Sequence, residues 1–199
     1  MGRPRQHEGQ VATTARLLSA AEEEFGEHGY HGAKLQDIAA KAGISRPSLL
    51  YHYGSKEALY DAVVRAVFAE LGATLEAAMA EAESFEERLD AIVSGFVRFV
   101  RGRRATARLV LRQVMDEQGP GQALLLEVGA PLIQRVEDFI RSEGGPRVPA
   151  GLPVRGALLQ VVSSTFVKAA SGPLEHALWG DDDPHLTLIR YLFASRMDA

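Results

Sequence analysis

The chain has 199 residues, 46% of them apolar, which is enough for one medium helical domain or for a small domain attached to a larger one. It contains no cysteine, so disulfide frameworks, thiolate zinc sites and cysteine nucleophiles are excluded. A formal charge of −4 argues against a protein that coats nucleic acid indiscriminately, but it leaves room for a local basic surface.

The elements are nearly all helical. Met1 leads into the polar stretch GRPRQHEGQ, so no secretory leader is expected, and a soluble cytoplasmic chain with no membrane partner is the reading. Every apolar run meets a charge well before the roughly 20 residues that a membrane helix needs. Val11, Ala15, Leu18 and Phe25 share one face of a first helix, which Gly29 is placed to end. Leu35, Ile38, Ala39 and Ala42 then fall at i, i+3, i+4 and i+7, the spacing of a short amphipathic helix. Gly43 breaks it, Ser45 can cap a third helix and Ser55 a fourth. From Ser55 onward, Leu59, Val63, Val67, Leu71 and Leu75 make a stripe long enough for many turns.

The remainder reads as a helical bundle. Ser84 and Glu87 form an S-x-x-E capping box ahead of Leu89, Ile92, Val93, Phe96 and Val100. Gly102 weakens that run, and Leu109, Val110, Leu111, Val114 and Met115 resume it. After EQGPG, a span from Leu124 to Arg141 is expected to kink at Pro131. GGPRVPAGLP is the clearest loop, and Val154–Ser171 and Leu186–Met197 close the chain as two helices separated by GDDDP. No strand pattern stands out, so the fold class is all-α.

The stretch KLQDIAAKAGISRPSLLYHYGSKEAL has the spacing of a helix-turn-helix. With Leu35 as the first position, Ala39, Gly43 and Leu49 fall fifth, ninth and fifteenth. Two steeply crossing helices need a small residue at the crossing, a glycine in the turn and an apolar residue returning to the core. An ordinary helical hairpin would show a mixed-charge outer face on the third helix. Here the outward positions carry Arg46, Pro47, Ser48, Tyr51 and His52 and no acid. Between His28 and Lys56, four lysines and arginines face one acid, a local excess of three positive charges. Arg46 in the first turn can donate two hydrogen bonds to a guanine, and Ser48, Tyr51 and His52 can reach phosphates or base edges. Lys56 stands where helix-terminal amides already favour a phosphate.

AAEEEFGEHGY, DIAAKAGIS and LLYHYGSKEAL together resemble the DNA-binding half of the TetR family of bacterial transcriptional regulators, over about Val11 to Leu71. The resemblance implies a homodimer on a palindromic double-stranded operator, most often a repressor, released by a small-molecule effector, with no cofactor. It assigns DNA contacts to Gln36, Arg46, Pro47, Ser48, Tyr51, His52 and Lys56; Lys34, a departure from the family pattern, can reach a phosphate instead. The chain departs from the family pattern twice. Ala33 and Lys34 stand where Thr-Ser often opens the second helix, and Leu50 stands where a tyrosine is usual.

Residues 1–56 are therefore expected to form the DNA-binding domain, and residues 57–199 the helical effector-binding and dimerisation domain. Phe96, Phe99, Arg112, Met115, Phe166 and Trp179 are the candidates for lining an effector pocket, which suits an apolar or amphipathic ligand. Leu158, Val162, Phe166, Leu188, Leu192 and Phe193 lie on the apolar stripes of the last two helices and are the candidates for a dimer interface. Two other function classes compete with this reading. A helical enzyme would need converging acids, bases or metal ligands, yet His7, His28, His31, His52, His176 and His185 show no metal-ligand spacing. An architectural DNA protein would need a strong overall positive charge.

Overall fold

The computed structural model describes residues 5–81, 83–116, 119–180 and 187–188. They build an all-α fold. Helix α1 spans Arg5–Gly32, α2 Leu35–Ala42, α3 Arg46–Tyr53 and α4 Lys56–Glu81. Then come α5 (Phe85–Arg101), α6 (Arg104–Met115), α7 (Gly121–Val128), α8 (Ala130–Gly144), α9 (Val154–Ala170) and α10 (Leu174–Trp179).

The first helix is interrupted where its sequence permits it. Gly29 has φ 72° and ψ 175°, outside helical geometry, so the last turn of α1 is offset from the rest. The face that α1 buries is Leu17, Ala20, Ala21 and Phe25, whereas Val11 is 62% exposed. The apolar face thus sits about one residue round from the row expected on periodicity, because packing against α6 selects it. Thr106 of α6 donates a hydrogen bond to Glu22 of α1. Gly26 lets the two backbones meet, since a Cβ there would fall 2.4 Å from the Ala105 carbonyl oxygen.

Capping follows the sequence closely. Ser45 Oγ accepts from the Ser48 amide at 3.2 Å and opens α3. Ser55 Oγ accepts from the Ala58 amide at 3.0 Å and opens α4. At α5 the capping box is complete, with Glu87 N donating to Ser84 Oγ and Ser84 N donating to the Glu87 carboxylate. α4 buries Leu59, Val63, Val67, Leu71 and Leu75 along its length, as the stripe requires. The span around Pro131 breaks rather than kinks. α7 ends at Val128, Gly129 caps it, and Pro131 sits in the first turn of α8, where a missing amide costs nothing. GGPRVPAGLP stays a connection, with a single 3₁₀ turn at Gly145–Arg147. Among the described residues no helix is long and apolar enough to cross a membrane.

Candidate nucleic-acid interface and ligand cavity

α2 and α3 meet as the spacing dictates. Ala39 is 2% exposed at the crossing, Gly43 turns the chain with φ 70°, and Leu49 is fully buried. The Gly43 and Ile44 amides donate to the carbonyls of Ala40 and Ala39, closing the end of α2. Its start is less complete, since Lys34 occupies the cap position with no side-chain hydrogen bond.

Two sets of contacts fix this unit on α1 and α4. Glu24, nearly buried on α1, accepts from Lys41 of α2 at 2.9 Å and pairs with His28 at 3.1 Å. Burial pushes the Glu24 carboxyl up, but the Lys41 hydrogen bond and charge, with that of His28, outweigh it and hold the carboxyl below its ordinary range. Phe25 and Tyr30 of α1 pack edge-on against Tyr60 of α4, with ring centroids 4.9 Å and 5.0 Å apart.

With Leu49 turned inward, the opposite side of α3 is left to solvent. Arg46, Pro47, Tyr51 and His52 are exposed there, Ser48 is half-buried, and Tyr51 reaches 88% exposure. Lys34 and Gln36 are exposed at the start of α2. Leu50 is half-buried, leaving Tyr51 as the outward aromatic. Lys56 is placed differently from the rest. It is half-buried, donates to the His31 carbonyl at 3.2 Å and lies 5.1 Å from the Tyr30 ring centroid. Desolvation there lowers its pKa. Lys56 thus latches the start of α4 to the end of α1, a role its place in the sequence did not announce.

The body holds an apolar cavity of about 740 Å³ between α4, α5, α6, α7, α8 and α9. Phe68, Leu71, Ile92, Val93 and Val136 are typical of its wall, and Phe96 and Phe166 meet edge-on within it at 5.7 Å. Gln122, Arg155, Gln160 and Ser163 contribute its polar lining, and Arg155 is held by Glu137 at 2.7 Å. Of the six proposed lining residues, Phe96 and Phe166 stand in this wall and the other four do not. Phe99 stacks under the Arg103 guanidinium, 4.5 Å from its carbon. Arg112 and Met115 line a different cavity, beside the end of α1. Trp179 is half-buried at the end of α10 and lines neither.

The proposed interface residues divide similarly. Leu158, Val162 and Phe166 of α9 line the apolar cavity. The exposed apolar residues of α9 and α10 are Leu159, Val167, Leu174 and Leu178. Leu188 is 39% exposed, and Leu192 and Phe193 lie outside the described residues.

Comparison with known proteins adds to this geometry. A family model described as bacterial regulatory proteins, tetR family, matches residues 17–63. The HTH-type transcriptional regulator RutR of Escherichia coli (strain K12) is 51% identical over 51 residues, 26% of this chain and 24% of RutR. The HTH-type transcriptional activator FasR of Mycolicibacterium smegmatis is 36% identical over 94 residues, 47% of this chain and 43% of FasR. The chain therefore spans about a quarter and under half of the lengths of these two relatives. Across most of the molecule the fold matches that of the transcriptional regulator FadR from Bacillus subtilis, solved in complex with stearoyl-CoA. That match has a TM-score of 0.72 at 15% identity and covers 90% of this chain and 97% of FadR. All three are named as transcriptional regulators, not enzymes.

Proposed function

We propose, from the match of residues 17–63 to the tetR family model, that the chain is a DNA-binding transcriptional regulator with a two-part design. Residues 1–56 read the DNA, and residues 57–199 bind an effector and pair two copies in the cytoplasm. The observation that carries this reading is the outer face of α3, which is exposed, free of acids, and pinned from behind by Leu49. Two such faces in a homodimer suit a palindrome whose half-sites lie one or more helical turns apart. The net charge of −4 disfavours an architectural role.

The effector we propose is apolar or amphipathic, with its chain inside the 740 Å³ cavity and its polar end near Arg155 and Gln160. The stearoyl-CoA bound by FadR, which shares the fold, is a molecule of that kind. Release from the operator on ligand binding makes repression the expected mode.

Selection of bound duplexes from a random pool tests the reading. The expected result is one short palindrome, protected at physiological salt and vacated when a long-chain acyl-CoA is added. Comparable binding to every duplex would favour the architectural alternative, and protection that acyl-CoA leaves intact would remove that effector class. Arg46→Ala should weaken operator binding by about 1–3 kcal/mol and relax the preference at one base pair, as for a bidentate base contact. An equal loss on all sequences would make Arg46 a phosphate contact. Lys56→Ala should weaken binding to all sequences alike and reduce the salt slope by about one. An unchanged slope would leave Lys56 only its latch to the His31 carbonyl.

A further inference from the structure

A second cavity, of about 470 Å³, lies where the end of α1, the first turns of α4 and the last turns of α6 meet. It shares no lining residue with the apolar cavity. Phe25, Tyr30 and Tyr60 give it aromatic walls, and His28, His31, Arg112, Gln113 and Asp116 give it polar ones. The volume far exceeds the roughly 30 Å³ that one water occupies in the liquid.

Gln113 is the feature that calls for a ligand. It is 2% exposed, and among the described residues neither its Nε2 nor its Oε1 meets the geometry of a hydrogen bond. An amide buried in this way destabilises the fold, so an aliphatic side chain of the same shape would be the more stable choice. Gly121 makes room for it, since a Cβ at that position would come within 2.4 Å of Gln113 Cγ. Tyr60 stands beside it, 4% exposed. Burial, then the Asp116 charge, push its phenol up to about 12 against a smaller lowering by the nearby Gln113 amide, which reaches toward the hydroxyl without completing a hydrogen bond, so it remains a hydroxyl donor at neutral pH. Arg112 lies on the same wall, with one guanidinium nitrogen donating to the Glu27 carbonyl at 3.1 Å.

We propose that this cavity is a second binding site, for a small flat molecule carrying a primary carboxamide or lactam edge. Such an edge offers one donor and one acceptor side by side, which is the complement of the Gln113 amide. The aromatic walls take the flat face, and Arg112 and Tyr60 favour a carbonyl oxygen. The inference stands apart from the effector assignment, because the two cavities are separate. Its regulatory meaning comes from position: the occupant would touch α1, α4 and α6 together, the three helices that join the DNA-binding unit to the body.

The test titrates benzamide into the isotope-labelled full-length protein and follows the Gln113 side-chain amide signal by NMR, assigned by its loss in Gln113→Leu. N,N-Dimethylbenzamide, which keeps the ring and the acceptor but has no donor, is the control. The expected result is a saturable shift with benzamide and about tenfold weaker binding of the dimethyl analogue. Gln113→Leu should bind benzamide about tenfold more weakly while melting no lower than the natural protein. An unmoved amide signal up to about 10 mM benzamide, well above typical millimolar fragment affinities, would mean a water-filled cavity and overturn the proposal. Equal binding of the two probes would overturn it as well, and that comparison requires no variant to fold.

Discussion

Gly26→Val should lower the melting temperature by roughly 6–12 °C and weaken DNA binding with it. A Cβ at Gly26 would lie 2.4 Å from the Ala105 carbonyl oxygen and 2.8 Å from its carbonyl and α carbons. A side chain in the way could rotate, but a peptide in the first turn of α6 cannot. Overpacking costs typically about 1–3 kcal/mol, and a backbone obstacle puts this site at about 3 kcal/mol. For a chain of this size each kcal/mol is worth roughly 2–4 °C. α1 also carries Glu24, which holds α2 through Lys41, so displacing α1 moves the unit that bears α3. Thermal unfolding followed by circular dichroism checks this. A melting temperature within about 2 °C of the natural protein would show that α1 and α6 separate without penalty.

Leu49→Ala should destabilise the DNA-binding unit by about 2–5 kcal/mol, the range for emptying a fully buried leucine site. Leu49 is 0% exposed and is the one residue of α3 that is fully buried. Ile38 and Ala39 of α2 are buried in the same core, so the loss falls on the pairing of these two short helices. Hydrogen exchange is the measurement: amides over residues 35–53 should lose protection, while those of α5 and α9 keep theirs. Equal loss throughout would mean that the molecule unfolds as one unit and that the helix-turn-helix has no separate stability.

Features set by local chemistry were legible before any coordinates. Gly43, Leu49 and the caps at Ser45, Ser55 and Ser84 depend on residues within a few positions of one another, and the structure places each as its spacing requires. Features set by packing between distant segments were not. Periodicity puts Val11, Ala15, Leu18 and Phe25 on one face of α1, yet only Phe25 of these is buried, together with Leu17, Ala20 and Ala21. Both rows have helical spacing, and the choice between them lies with α6. The break at Gly129 follows the same logic, because a Cβ there would meet the Leu125 oxygen at 2.8 Å and Phe68 Cε1 at 3.2 Å. Large side chains were a poor guide to the cavity, whose wall is chiefly aliphatic. Met115 is 74% exposed, and Trp179 and Phe99 lie elsewhere. From the sequence Gln113 could be named only as a polar residue able to orient a ligand, since an amide in an amphipathic helix is ordinary until its surroundings are known.

α4 is a single unbroken helix of 26 residues that starts at Lys56, lines the apolar cavity with Phe68, Leu71 and Leu75, and ends at Glu81. At about 1.5 Å per residue it is a rod of roughly 39 Å. Pivoting such a rod by about 5° sweeps its tip through roughly 3.4 Å, close to the spacing of successive nucleotides along a duplex. Angular play that would be trivial inside a globular core therefore becomes, at the far end, a misfit of one full rung.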